Sequence, residues 1–380
     1  MNAFRPQEFV RPDIAGMEPY VPIVPFEVLS RRLGRHADDI VKLDANENPF
    51  GPSPRVRKAL AEARYLHIYP DPQSGALREA LATYTSVPME FLLAGAGADE
   101  LIDLVLRAVL RPGDVVLNCP PSFGMYSFST AVNMGELVNV RRHHDFSLDL
   151  DAITAASAAH PRVRVLFVCS PNNPDGSVIS DAGLRQLLKL PLLVVLDEAY
   201  VEFGSQSRIT WTTQHENLVV LRTFSKWAGL AGLRIGYGAF PLWLMPHLWK
   251  IKQPYNVNVA ASQAAIAALE DLDWSRRHLD ALVAERRRLQ QALAQFTFLE
   301  PLPSQANFVL CRVRGLDAAR VKQDLELKGV LVRYFDKPGL QNCIRISAGR
   351  PQDTGRLLDA LRELEEATNP SPNVRKKERS

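Results

Sequence analysis

Residues 192–200 read LLVVLDEAY and residues 218–226 read LVVLRTFSK, and these two stretches decide the fold. In each, an apolar run leads directly into polar side chains, with Asp197 after the first run and Lys226 after the second. Runs that are apolar throughout, rather than alternating, are typical of strands covered by helices on both faces. Ligands of such parallel sheets bind at the carboxyl ends of the strands. The two stretches therefore predict that Asp197 and Lys226 lie at the ligand-binding edge of one sheet.

The rest of the chain extends this pattern in two blocks. From about residue 45, helix-period stretches alternate with apolar runs such as 115–118 and 163–169, which predicts an α/β domain with a mostly parallel central sheet covered by helices. A long amphipathic helix is predicted over 279–296, and the pattern after it indicates a smaller α+β domain with strands near 307–311, 330–332 and 343–346. The predicted division is an N-terminal arm and start of the small domain at 1–45, a large domain at 46–275, a small C-terminal domain at 276–367 and a disordered tail at 368–380.

The composition is that of an ordinary globular chain. It has 380 residues, of which 46% are hydrophobic and 23% charged, and this length predicts two lobes because it exceeds what one compact core usually holds. The first ten residues include Arg5, Pro6 and Glu8 without an apolar block, and no apolar run approaches the roughly 20 residues of a membrane span. We therefore expect a cytoplasmic protein without a membrane partner.

Charge and cysteine usage argue against two other kinds of site. The formal net charge is +3, and the tail carries Arg375, Lys376, Lys377 and Arg379, so the folded body is nearly neutral and nucleic acid is not an expected partner. The four cysteines lie far apart and three of them fall in apolar runs, which favours buried reduced thiols over disulfides or a zinc site. We expect no metal centre.

A glycine turn, residues 95–97, opens a helical pattern that continues through Ala98 and Asp99. The N-terminus of a helix presents free backbone N–H groups and the positive end of its dipole, which suits a phosphate. Taken alone, the turn also fits an ordinary helix start with acidic residues in its first turn. It matches part of a dinucleotide-binding fingerprint, but Glu100 stands where the third glycine belongs, which weakens the alternative of a nicotinamide oxidoreductase.

Two further loops follow predicted strands. Residues 170–176 read SPNNPDG, and the prolines and glycine hold Asn173 in a rigid turn, although a tight turn without a ligand is an equal alternative for this loop alone. Asp197 ends a buried run and is costly there without a positive partner. A protonated pyridine nitrogen is one such partner, and Tyr200 can reach the same ligand. The alternative for Asp197 is a helix N-cap, which we favour less.

The fourth loop contains Lys226. A lysine just past a strand can be desolvated enough to lose its proton and form a Schiff base. Ser225 and Arg234 can donate hydrogen bonds to a phosphate beside it. A phosphate cradle, an asparagine, a carboxylate and a Schiff-base lysine each follow a different strand. Together they predict a pyridoxal 5'-phosphate site with the cofactor held on Lys226.

At these residues the chain resembles the fold-type I aminotransferases, and among them the histidinol-phosphate aminotransferase family. The resemblance runs from about residue 14 to about residue 365, and its most specific segments, besides the four loops, are PYVP at 19–22, LDANENP at 43–49, GPS at 51–53 and YPD at 69–71. It implies the fold of the pyridoxal-phosphate-dependent transferases of type I, this cofactor and the transfer of an amino group. It also implies a homodimer in which the second subunit completes the active site.

The resemblance implies specific roles for residues at the cofactor. Lys226 carries the cofactor, Asp197 pairs with the pyridinium nitrogen, and Tyr200 and Asn173 hydrogen-bond the ring oxygen. Lys226, Asp197 and Tyr200 are the implied catalytic residues. The remaining implied cofactor contacts are stacking by Phe123, where many members have tyrosine, and phosphate binding by the backbone of Ala98 and Asp99, by Ser225 and Arg234, and by Tyr69 of the second subunit.

The substrate end is also implied by resemblance. Arg333 and Arg345, with Tyr20, Tyr255 and Asn173, surround the group bonded to the reacting carbon. Two arginines suit a dianionic phosphate better than a single carboxylate requires. Ile23 stands where members of the family often have glycine in the arm, and this leaves the path of the arm open.

The implied reaction interconverts L-histidinol phosphate and imidazole acetol phosphate, with 2-oxoglutarate and L-glutamate as the second pair, in histidine biosynthesis. An aminotransferase for aromatic amino acids and a threonine-phosphate decarboxylase are similar in frame and remain alternatives. A regulator that binds the cofactor without chemistry would normally carry a DNA-binding module, for which no residues are left.

Overall fold

The computed structural model describes residues 5, 9–19 and 24–368, and its strands form two separate sheets. Each apolar run predicted to be a strand is one, although several bounds differ by one or two residues. The strands in chain order are β1 (Val41–Leu43), β2 (Leu92–Gly95), β3 (Val115–Asn118), β4 (Glu136–Asn139), β5 (Val163–Cys169), β6 (Leu193–Asp197), β7 (Leu218–Thr223), β8 (Gly236–Ala239), β9 (Leu299–Pro301), β10 (Phe308–Val313), β11 (Val330–Tyr334) and β12 (Cys343–Ser347).

The helices connect these strands and cover their faces. They are α1 (Pro12–Ala15), α2 (Phe26–Leu33), α3 (Pro54–Ala61), α4 (Gly75–Thr85), α5 (Ala98–Val109), α6 (Met125–Val132), α7 (Leu150–Ala159), α8 (Asp181–Leu187), α9 (Met245–Ile251), α10 (Val259–Leu269), α11 (Leu272–Leu293), α12 (Ala318–Leu327) and α13 (Pro351–Thr368). Short 3-10 helices occupy Ala37–Asp39, Met89–Phe91, Val201–Phe203, Ile209–Thr213 and Ala231–Leu233. None of the helices in the described ranges has the length and apolarity that a bilayer crossing requires.

The long helix predicted over 279–296 is confirmed, but it begins earlier, at Leu272. Its first turns have few apolar residues, so they carry no clear helical periodicity. Instead, Trp274 stacks on His278 one turn later, with ring centroids 3.8 Å apart, and Phe50 contacts the same histidine ring at 4.6 Å. Packing by aromatic rings therefore supports a turn of helix that the hydrophobic pattern did not predict.

The larger sheet has seven strands in the order β2-β8-β7-β6-β5-β3-β4. Strand β8 runs in the opposite direction to the other six. Its strands other than the edge strand β4 are largely buried on both faces: in β6, Val194 belongs to one apolar cluster and Val195 to another on the opposite side. Strands β5, β6 and β7 are parallel neighbours, and Cys169 of β5 lies opposite Asp197, the last residue of β6. The predicted mostly parallel central sheet is thus confirmed, and the loops after these three strands lie together.

The smaller sheet has five strands in the order β1-β11-β12-β10-β9. β1 comes from the N-terminal segment and pairs in parallel with β11, whereas the other neighbours are antiparallel. In this register Arg333 of β11 stands directly opposite Arg345 of β12. The sheet therefore brings the two predicted substrate arginines side by side.

Candidate active site

Most of the predicted site residues line one cavity of about 1130 Å³ between the two sheets' loops. This cavity also includes arm residues 17–19 and residues 45–46, which follow β1. The predicted residues in its wall are Ala98, Asp99, Phe123, Asn173, Asp197, Tyr200, Ser225, Lys226, Arg234, Arg333 and Arg345. The four loops that the sequence pointed to therefore meet at one place.

Lys226 lies at the wall of this cavity, three residues after the end of β7. Its Nζ donates a hydrogen bond to the backbone carbonyl of Ala45 at 3.2 Å. Burial and, to a lesser extent, the positive charge of Arg345 lower the pKa of Lys226 to about 8. Because a neutral amine is the nucleophilic form, this environment favours the form of Lys226 that a Schiff base requires.

Asp197 lies at the buried floor of the cavity and is held by two hydrogen bonds. Tyr126 donates its hydroxyl proton to Oδ2 at 2.6 Å, and the backbone N–H of Ala199 donates to Oδ1 at 3.0 Å. Burial raises the pKa of Asp197 to about 6, while the bond from Tyr126 opposes that rise. A buried acid with this pKa favours a positively charged partner in the cavity, since such a partner offsets its desolvation.

Tyr126 was missed by the sequence reasoning. It belongs to α6, is fully buried, and its ring stacks on Phe167 of β5 with centroids 4.6 Å apart and planes 3° from parallel. Its position inside a helix of mixed polarity resembles an ordinary core aromatic residue, so the sequence carries no signal that its hydroxyl meets Asp197.

Asn173 and Tyr200 stand where each can donate into the cavity. Arg345 Nη1 donates to Asn173 Oδ1 at 2.6 Å, and because a guanidinium can only donate, the Nδ2 group of Asn173 must face away from it. The Tyr200 hydroxyl accepts a hydrogen bond from Asn46 Nδ2 at 3.0 Å. Both residues are therefore suited to donating to an oxygen of a bound ring, as predicted.

The phosphate end is formed by the start of α5 and the segment around Arg234. Gly97 precedes the helix with φ +83°, and no side chain caps the first turn. A Cβ on Gly97 would lie only 2.7 Å from Arg234 Nη2, so glycine lets the guanidinium approach the helix start. Arg234 Nη2 contacts Asp99 Oδ2 at 3.0 Å, and the buried Ser225 lines the same region. These groups offer the donors that a phosphate needs.

Glu100 has a structural role that the motif comparison did not anticipate. Its Oε2 accepts a hydrogen bond from the backbone N–H of Ala96 at 2.5 Å and another from Asn256 Nδ2 at 2.8 Å. The carboxylate thus fixes the turn before α5 in a way that a third glycine could not. The departure from the dinucleotide fingerprint is explained by this contact.

The substrate end contains Arg333 and Arg345 together with Phe335. Arg345 is buried and its Nη2 donates to the carbonyl of Asp44 at 2.7 Å. The guanidinium groups of Arg333 and Arg345 lie 5.5 and 5.4 Å from the ring of Phe335. Like charges directly opposite each other on neighbouring strands are destabilising, and an anion bound between these two would offset the repulsion.

Two predicted tyrosines, Tyr69 and Tyr255, do not line the cavity of this chain. Tyr69 and Tyr255 are 78% and 45% exposed, and their rings stack on each other with centroids 4.5 Å apart. Tyr20 and the neighbouring Ile23 lie outside the described residues. The structure thus separates Tyr255 from the other substrate-end residues within one chain and leaves it beside Tyr69.

The cysteines and the metal prediction can be checked in the described part of the chain. All four cysteines lie there, and each is buried with a free thiol. No group of three or more His, Cys, Asp or Glu side chains among the described residues is arranged to hold a metal ion.

The residues in the cavity fit pyridoxal phosphate. The uncapped start of α5 with Arg234 suits its phosphate, the acid of Asp197 suits a protonated ring nitrogen, and the amide of Asn173 and hydroxyl of Tyr200 suit its ring oxygen. Lys226 suits its aldehyde carbon. No residue in this set is left without a matching feature of the cofactor.

Comparison with known proteins agrees with this fit. Residues 38–361 match the family of class I and II aminotransferases. The chain is 52% identical over 358 residues to the chloroplastic histidinol-phosphate aminotransferase of Nicotiana tabacum, covering 94% of this chain and 86% of that protein. It is 50% identical over 363 residues to the histidinol-phosphate aminotransferase of Roseiflexus castenholzii, covering 93% and 98% respectively.

A solved structure extends the comparison to the cofactor. The crystal structure of histidinol-phosphate aminotransferase from Sinorhizobium meliloti in complex with pyridoxal-5'-phosphate matches with a TM-score of 0.86 at 30% identity, covering 97% of this chain and 99% of that one. Pyridoxal phosphate is therefore the cofactor, and the nicotinamide alternative finds no support. The chain belongs to the histidinol-phosphate aminotransferase family, within the class I and II aminotransferases.

Proposed function

We propose that this chain transfers an amino group from L-histidinol phosphate to 2-oxoglutarate, giving imidazole acetol phosphate and L-glutamate, as a step of histidine biosynthesis. The observation that carries the proposal is that one cavity is lined by Lys226 and Asp197 and by the arginine pair of Arg333 and Arg345. The high identity to relatives with this name over nearly the whole chain supports the substrate.

When bound, pyridoxal phosphate supplies the electron sink that accepts the electrons of the bond broken at the substrate's α-carbon. Asp197 would hold the proton on the ring nitrogen, because its buried carboxylate lines the cavity and is stabilised by a positively charged partner. Lys226, with its lowered pKa, would take the proton from the α-carbon and pass it to the former aldehyde carbon of the cofactor, and it would move a proton in the opposite direction in the second half of the cycle. Tyr200 and Asn173 orient the ring by donating to its oxygen.

The charge of the cavity wall supports an anionic substrate. Among the described residues that line it, lysines and arginines outnumber the acids, which are Glu18, Asp99 and Asp197. Arg333 and Arg345 bind the phosphate of histidinol phosphate in one half-reaction and a carboxylate of glutamate in the other. The phosphate is a dianion, so it should interact more strongly with the two guanidinium groups than a singly charged carboxylate does.

Replacing Arg333 by glutamine should raise KM for histidinol phosphate by about 10- to 100-fold, because hydrogen bonds to charged groups contribute about 1.5–3 kcal/mol. KM for phenylalanine, which lacks the phosphate, should change less. Steady-state assays with histidinol phosphate, phenylalanine and threonine phosphate as amino donors measure both effects. The matched control is Arg314→Gln, an exposed arginine paired with Glu300 outside the cavity. No turnover of histidinol phosphate by the wild type would refute the proposed reaction.

We further propose a homodimer with shared active sites, in which Tyr69 of each subunit reaches the phosphate in the partner's cavity. Tyr69 and Tyr255 do not line their own chain's cavity and are exposed beside other exposed apolar side chains, Tyr65, Leu66 and Ile68. A contiguous exposed apolar patch of this kind is typical of a protein interface. Tyr69 would then complete the phosphate end of the second site, and Tyr255, which stacks on it, the substrate end.

The shared site predicts complementation between two inactive variants. Lys226→Ala removes the lysine of one site, and Tyr69→Ala removes the residue that would enter the other, so a hybrid dimer keeps one intact site. Unfolding and refolding an equal mixture should restore about a quarter of wild-type activity, since random pairing makes half the dimers hybrid. Analytical ultracentrifugation of the same samples measures the dimer. Activity of the mixture no greater than that of the separate variants would contradict the shared site.

Two further proposals concern organisation and location. Residues 46–275 form the large cofactor-binding domain, and residues 276–367 form the small domain together with the start of the chain. This is supported by the pairing of β1 with β11 in the smaller sheet. The location we propose is the cytoplasm, although the plant relatives are chloroplastic.

A further inference from the structure

Asn46 is buried, and it links residues of the two domains through hydrogen bonds of both its backbone and its side-chain amide. Its backbone N–H donates to Ser347 Oγ at 2.9 Å, and its backbone carbonyl accepts from Asn307 Nδ2 at 3.0 Å. Its side-chain Oδ1 accepts from Ser347 Oγ at 3.0 Å, and its Nδ2 donates to the Tyr200 hydroxyl at 3.0 Å. The backbone has φ +55°, a left-handed conformation that asparagine and aspartate tolerate better than most residues.

These contacts determine which group is the donor and which is the acceptor in each hydrogen bond. The backbone N–H of Asn46 can only donate, so Ser347 Oγ accepts from it and keeps its own proton for Oδ1. In the reverse orientation of the amide, this buried hydroxyl proton would have no acceptor among the described residues, which is unfavourable. The Nδ2 group therefore faces Tyr200, and the tyrosine oxygen must accept.

Tyr200 then has one proton left to donate, and its other neighbours decide where it goes. The charged and titratable groups that face its hydroxyl or ring are Lys226, Arg345, Asp197 and Cys169. In the described part of the chain, no protein acceptor is bonded to this proton, and the side chain lines the cavity. The proton can therefore point into the cavity.

We propose that Asn46 is a positioning residue that makes Tyr200 a hydrogen-bond donor to the ring oxygen of the cofactor, and that Ser347 fixes the amide of Asn46 in the required orientation. The inference rests on the proposed placement of Tyr200 at that oxygen. Ser347 shares a strand face with Arg345, two residues away, so the small sheet supplies both a substrate residue and the residue that orients Tyr200.

The test is the pH at which the absorption maximum of the bound cofactor changes between its protonated and deprotonated forms. A hydrogen bond donated to the ring oxygen stabilises its negative charge, so losing that bond should move the transition to higher pH by about one unit. Asn46→Asp keeps the size of the side chain but replaces the donor by an acceptor, which would turn the Tyr200 proton away from the cofactor. We expect Asn46→Asp and Tyr200→Phe to shift the transition upward by similar amounts.

The double variant separates this effect from the added charge of the aspartate. If Asn46 acts through Tyr200, Asn46→Asp should cause little further shift in the Tyr200→Phe background. An equal shift in both backgrounds, or no shift from Asn46→Asp alone, would overturn the inference while leaving the role of Tyr200 intact. No shift from Tyr200→Phe would overturn the inference and the proposed placement of Tyr200 together. If circular dichroism shows that Asn46→Asp does not fold, Ser347→Ala can be compared instead in the wild-type and Tyr200→Phe backgrounds. We expect a smaller shift in the same direction, and only in the wild-type background.

Discussion

Replacing Lys226 by alanine should lower kcat by about 10⁴-fold or more, because the variant loses both the covalent attachment of the cofactor and the base that moves the α-proton. The lysine is suited to both tasks, since burial lowers its pKa to about 8 and leaves a substantial fraction neutral near physiological pH. The amino-transfer rate with histidinol phosphate and 2-oxoglutarate, measured after saturation with cofactor, tests this directly.

The matched control for this variant is Lys189→Ala, which removes an exposed lysine that does not line the cavity. It should retain wild-type kcat and KM. Circular dichroism and cofactor binding should show that the Lys226→Ala protein is folded, since among the described residues the lysine makes a single hydrogen bond, to the carbonyl of Ala45. A folded Lys226→Ala variant with more than a few per cent of wild-type activity would contradict the role of this lysine.

Replacing Asp197 by asparagine should lower kcat by about 100- to 1000-fold, because the side chain keeps its shape but no longer stabilises a proton on the ring nitrogen. Without that proton the ring is a weaker electron sink. The hydrogen bonds from Tyr126 and Ala199 keep the position well ordered in the wild type. The control is Asp181→Asn, an exposed carboxylate that pairs with Arg208 away from the cavity and should have no effect on kcat.

The raised pKa of Asp197 also predicts that the affinity for the cofactor depends on pH. Burial raises the pKa of Asp197 to about 6, so the carboxylate is charged above that pH and protonated below it. The affinity of the cofactor-free wild type should therefore fall as pH drops through about 6, by up to tenfold per pH unit, and Asp197→Asn should lose this part of the dependence. Titrations followed by tryptophan fluorescence between pH 5 and 8 measure it. The same dependence of affinity on pH in the wild type and in Asp197→Asn would contradict the role of Asp197 at the ring nitrogen.

The sequence predicted the strands and the loops of the site well, because both depend on local signals. Fully apolar runs identify strands that are covered on both faces, and polar residues such as Asp197 and Lys226 at the ends of those runs must meet where parallel strands end. The register of the smaller sheet, which sets Arg333 opposite Arg345, has no such local signal. It depends on the pairing of β11 with β12 across residues that lie apart in the chain.

The residues that orient the site were missed for a physical reason. Tyr126 acts through a hydroxyl at the end of an otherwise apolar ring inside a helix, and its sequence context is that of a core residue. Asn46 was noticed only as part of a shared segment, because its partners Tyr200 and Ser347 are about 150 and 300 residues away. Hydrogen-bond networks between distant segments are set by tertiary packing, which hydrophobic periodicity does not report.

The covalent attachment of the cofactor to Lys226, and to no other lysine, can be tested directly. Reduction of the cofactor-loaded protein with sodium borohydride makes that bond permanent, and peptide mapping by mass spectrometry then locates it. We predict one cofactor mass per chain, on the peptide that contains Lys226, and no label on that peptide in the Lys226→Ala variant. A label on another lysine, such as Lys42 or Lys252, or no label on the wild type, would contradict the account.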